Sequence, residues 1–100
     1  MKLHDVEIDE TKLAEFCRAN GIREMLFFGS ITSDDFGCDS DVDVIVEFEP
    51  GRKPDLWSFI GLQMELSSLL VRQAHLHTTP MIDKRFRERI LKSARVAYAA

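Results

Sequence analysis

The segment from Phe27 to Phe48, FFGSITSDDFGCDSDVDVIVEF, constrains the fold more than any other part of this chain. An apolar run ends in Gly29-Ser30, a polar spacer of ten residues follows, and Asp41 and Asp43 open a second apolar run. Residues two apart on a β-strand share a face, so the two aspartates converge on one side of the second run. Carboxylates held side by side repel each other, and a bound divalent cation offsets that cost while also gripping phosphate oxygens. Gly29 lets the backbone come close to a phosphate, and Ser30 adds a hydroxyl donor. An aspartate pair at the end of a turn can be mere capping, but Gly29-Ser30 at this distance favours a nucleoside-triphosphate site.

The rest of the chain supplies a framework for that segment. Asp9 caps a helix predicted over Glu10 to Asn20, with Leu13, Phe16 and Cys17 on one face and Asn20-Gly21 ending it. Ile22 to Phe28 reads as a strand, Ile31 to Ser40 as a polar loop and Asp41 to Glu49 as a second strand. On that strand Val42, Val44, Val46 and Phe48 face one way, and Asp41, Asp43, Ile45 and Glu47 the other. Asp55 caps a helix reaching Leu70, with a stripe of Phe59, Leu62, Leu66 and Leu69 and a second set, Leu56, Ile60 and Met64, beside it. An arc this wide is either clamped between sheet and neighbouring helix or partly exposed for docking, and clamping is the default expectation. Arg72 to Thr78 reads as a third strand and Asp83 to Ala94 as a last helix with Phe86, Ile90, Leu91 and Ala94 inward, before an extended end. This order predicts an α/β (α+β) domain: helices packed on a small mixed sheet, with the first two strands antiparallel neighbours because no crossover helix separates them.

One hundred residues, 45% hydrophobic and 30% charged, suit one domain spanning residues 1–100 rather than a disordered chain. MKLHDVEIDE has no apolar signal region and no run approaches a membrane span, so the expected location is cytoplasmic. Cys17 and Cys38 lack metal-ligand spacing and read as reduced thiols, Cys38 within the site loop. Residues 1–49 hold thirteen acids against four Lys and Arg, whereas residues 82–100 hold six Lys and Arg against two acids. The basic end reads chiefly as a solvated helix face, and a net charge of −4 argues against nucleic acid as a partner.

In order, spacing and strand context, the Gly29-Ser30 and Asp41-x-Asp43 pattern resembles the nucleotidyltransferases of the DNA polymerase β superfamily. Within it the chain is similar to minimal nucleotidyltransferase (MNT) domains, a likeness that continues through Glu47 to Leu70 and the C-terminal FRERILKSARVAYAA. The resemblance implies the polymerase β-like fold, ATP or another NTP as substrate, Asp41 and Asp43 as catalytic ligands of Mg²⁺ or Mn²⁺, and Gly29 and Ser30 as triphosphate contacts. It also implies a partner, since such proteins often act as antitoxins that modify a tyrosine on a HEPN-type ribonuclease toxin. The superfamily carries a third acidic residue on the next strand. Here that strand reads RQAHLHTTP and places His75 at the acidic position, with His77 on the same face. His75 is accordingly expected to be a substitute catalytic group, favouring a transition metal or acting as a general base, or else the mark of a degraded site. Three functions follow: nucleotide transfer to a protein hydroxyl, neutralisation of a toxin by contact alone, and modification of a small molecule such as an aminoglycoside. Self-association is left open.

Overall fold

The computed structural model describes residues 2, 3, 6–29 and 41–100, with Lys2 and Leu3 as backbone alone. Ser30, the spacer loop after it and Cys38 lie outside the described residues. Two short strands, β1 (Lys2–Leu3) and β2 (Val6–Glu7), pair antiparallel ahead of the first helix, a pairing not expected from the sequence. Helix α1 (Glu10–Ala19) starts where the Asp9 carboxylate accepts the Lys12 backbone N–H, satisfying one of the free amides of the first turn. It ends at Asn20 and at Gly21, whose φ of +68° suits a residue without a Cβ.

Strands β3 (Ile22–Phe28) and β4 (Val42–Phe48) pair antiparallel, with Phe28 opposite Asp43. The Asp55 carboxylate accepts the Ser58 N–H and starts helix α2 (Leu56–Leu70). This helix is the crossover that β5 (Ala74–His77) needs in order to lie parallel to β4. A 3₁₀ turn (Thr79–Met81) leads to α3 (Lys84–Ser93), and β6 (Arg95–Ala99) returns antiparallel to β3. The resulting mixed sheet has the order β5-β4-β3-β6.

One face of this sheet is the core. Val42, Val44 and Val46 of β4 and Met25 and Phe27 of β3 are fully buried beneath Leu13 and Phe16 of α1 and Leu62, Leu66 and Leu70 of α2. Full burial of one such side chain is worth about 1.5–3 kcal/mol, so this layer dominates stability.

Two packing expectations are corrected. Helix α2 buries only the stripe of Leu62, Leu66 and Leu70, and Leu56, Ile60 and Met64 are not clamped: they are 69%, 40% and 68% exposed, beside Trp57 at 81%. A helix lying against one sheet can cover only one stripe of its circumference, and no other described element covers the second. Helix α3 has no fully buried side chain, and Phe86 and Leu91, expected inward, are 50% and 39% exposed. The sheet surface near Leu91 offers Leu26 and Ile45 between glutamates, too little apolar area to bury a full helical stripe. Ile45, assigned by alternation to the polar face of β4, is nonetheless buried.

Candidate active site

The sheet face opposite the core carries the side chains singled out in the sequence, in rows across the strands. Phe28, Asp43 and His75 form one row, and Leu26, Ile45 and His77 form the next. Because β4 and β5 are parallel and in register, His75 and His77 emerge on the same side as the aspartates, and each imidazole leans back toward the acid of the preceding row. His75 Nε2 lies 2.9 Å from Asp41 Oδ2, and His77 Nε2 lies 3.8 Å from Asp43 Oδ1. Phe28 meets the His77 ring edge-on at 5.4 Å between centroids and limits its rotation. Asp41 and His75 are about half exposed, while Asp43 and His77 are a third exposed, so the second pair is the more sheltered.

Gly29 closes this arrangement from the end of β3. Its φ is +78°, and a Cβ built on it would stand 2.6 Å from Asp43 Oδ2, inside van der Waals contact. The missing side chain thus provides the space in which the Asp43 carboxylate lies, a constraint separate from any approach to phosphate. Ser30, the other predicted contact, lies outside the described residues.

The donor set fits one ion better than two. Among the described residues, no three His, Cys, Asp or Glu side chains form a group able to hold a metal ion. Mg²⁺ does not require such a group, since it commonly binds through one or two carboxylates and takes its other ligands from water and substrate phosphates. Asp41 and Asp43 are two such carboxylates. A second ion on the nucleophile side would have His75 in place of a third carboxylate, a poor exchange for a hard cation.

His77 is the residue that sequence reasoning passed over as a site member. Its signal was the AHLH alternation, which puts it two residues beyond His75 on one strand face. Cys17 takes no part, because it is fully buried in the core, and burial pushes its thiol up to about 12, which leaves it unreactive.

Comparison with known families and structures agrees with this fold. The nucleotidyltransferase domain family matches residues 10–98. A solved structure described as a minimal nucleotidyltransferase is 28% identical over 86% of each chain, with a TM-score of 0.70. A toxin–antitoxin structure with AMP-PNP superposes with a TM-score of 0.73 at 18% identity, covering 93% of this chain and 75% of that one. The complex of a tri-AMPylated HEPN toxin from Shewanella oneidensis with its MNT antitoxin matches at 0.65 and 17% identity, over 91% of this chain and 70% of the other. Comparison with curated proteins gives no match. The strand order, the Asp41-Asp43 face and the match over most of the chain lead to one conclusion: this protein belongs to the nucleotidyltransferase domain family.

Proposed function

We propose that this chain transfers a nucleoside monophosphate from ATP or another NTP to a hydroxyl of a protein partner, as the antitoxin of a pair with a HEPN-type toxin. The observation that carries the reading is the gathering of Asp41, Asp43 and His75 on adjacent strands, with Gly29 backed against Asp43. In the reaction the hydroxyl oxygen bonds to the α-phosphorus, the bond from that phosphorus to the bridging oxygen breaks, and pyrophosphate leaves. The hydroxyl proton departs at the third position, which His75 occupies in place of a carboxylate. Asp41 and Asp43 would hold Mg²⁺ or Mn²⁺, which neutralises triphosphate charge when bound. Gly29 keeps Asp43 in place, and Asp41 orients the His75 ring. The kinship with toxin–antitoxin structures supports the choice of partner.

A second reading has its own observation. Both carboxylates already stand beside imidazoles, and the third acid is absent, as expected of a protein that neutralises its toxin by contact alone. Incubation of the purified chain and its partner with ATP labelled at the α-phosphate, with Mg²⁺ and then Mn²⁺, separates the two. Transfer predicts label on a tyrosine, serine or threonine of the partner; toxin inhibited with no label incorporated contradicts it.

A further inference from the structure

The site face continues past the aspartates into a groove that the proposed reaction has not yet used. Below the Phe28-Asp43-His75 row come Leu26 and Ile45, and below them Glu24 stands opposite Glu47. A cavity of about 630 Å³ lies over these lower rows, within the range of about 300–1,000 Å³ typical of ligand clefts. Leu26 and Ile45 line it together with Pro80 and Leu91, and Glu24, Glu47, Glu49 and Lys53 border it. Gly29 is at the opposite end of the strands, beyond Phe28. Asp43 therefore separates two territories: the glycine turn on one side and the groove on the other.

We infer that this groove holds the acceptor, a protein segment in which apolar side chains are flanked by lysine or arginine; the inference rests on the transfer reading above. A triphosphate would meet three carboxylates there, so the anionic substrate belongs at the Gly29 end and the groove is left for its reaction partner. Directly opposed glutamates such as Glu24 and Glu47 repel each other across a sheet. Arg23 pairs with Glu47 from within the chain, and a cation of the bound segment would relieve Glu24 in the same way. The apolar lining selects against a bare polyamine or a polyhydroxylated cation, which has no side chain to place against Leu26 and Leu91. A segment seated here presents a hydroxyl to Asp43 from the side away from Gly29, as in-line displacement requires.

Two fluorescein-labelled peptides test this by anisotropy: one tyrosine flanked on each side by leucine and lysine, and its counterpart with glutamate for each lysine. The basic peptide is expected to bind at least about tenfold more tightly, to weaken with salt, and to lose about tenfold in affinity with Glu24→Lys. Glu24→Gln, which keeps the shape of the side chain, is expected to show a smaller loss in the same direction and decides the matter if the lysine variant does not fold. Equal affinity for the two peptides, indifference to both Glu24 variants, or displacement by spermine or adenosine at matched concentration would overturn the assignment. Charge-selective binding without label transfer upholds the groove and sinks the transferase reading; transfer that ignores Glu24→Lys and Glu24→Gln does the reverse.

Discussion

The two faces of β4 belong to the same seven residues and behave as different materials. On one side Val42, Val44 and Val46 are fully buried under α1 and α2. On the other, Asp43 and Glu47 remain accessible, Asp41 precedes them in the open, and α3 lies near without burying any of its own side chains. The contrast shows how a chain of this size divides its tasks. The closed face holds the strands in register, and that register sets Asp43 beside His75 and opposite Phe28. The open face leaves its carboxylates and imidazoles accessible, an arrangement common where binding groups sit on a rigid scaffold.

The largest effect is expected on the closed face. Phe27→Ala removes a fully buried ring and should cost about 3–5 kcal/mol in urea unfolding. Asp43→Asn, one face away, should change stability by less than about 1 kcal/mol. Equal losses would erase the distinction between the faces.

On the open face, His75→Asp restores an oxygen donor at the third position and should raise Mg²⁺-dependent transfer by about 10²-fold, the lower end of what a well-placed base contributes. A slower variant would make His75 the working base and overturn the view of it as a poor replacement. Gly29→Ala joins the two faces of the argument. It strains a residue at φ +78° and pushes a methyl group into Asp43, so a loss of about 1 kcal/mol in stability should accompany weaker nucleotide binding. Unchanged nucleotide binding in a folded variant would show that Asp43 has no need of that space.

The smallest effect lies away from both faces. The Ser58 backbone N–H holds the Asp55 carboxyl below the ordinary aspartate range. A depressed folded value means that its contribution is present above the unfolded value, about 3.9, and is lost as pH falls through the folded one. The gap in melting temperature between wild type and Asp55→Ala should therefore be widest near about pH 7 and shrink below about pH 4. A gap that grows on acidification would contradict the cap.

Much of this was legible from residue patterns because the determinants are local. The start of α2 follows from Asp55, and the bounds of β3 from an apolar run ending at Gly29. The convergence of Asp41, Asp43 and His75 follows from strand periodicity once β4 and β5 are parallel and in register. What periodicity could not provide was the supply of partners. Leu56, Ile60 and Met64 have the spacing of a buried stripe, yet the fold offers no second surface to meet them. Phe86 and Leu91 likewise point to an inward face on a helix whose nearest sheet surface is lined with glutamates. The groove was invisible for the same reason, since Glu24, Glu47 and Leu91 come together only through tertiary packing.

We propose above that the open face is a metal-dependent nucleotide site centred on Asp43. Titration calorimetry with AMP-PNP tests it most directly, on wild type and Asp43→Asn, each with Mg²⁺, with Mn²⁺ and with EDTA. Binding to wild type should require the divalent ion and disappear in Asp43→Asn while the variant's melting curve stays close to wild type. AMP-PNP affinity that is the same in EDTA, or unchanged by Asp43→Asn, would contradict it.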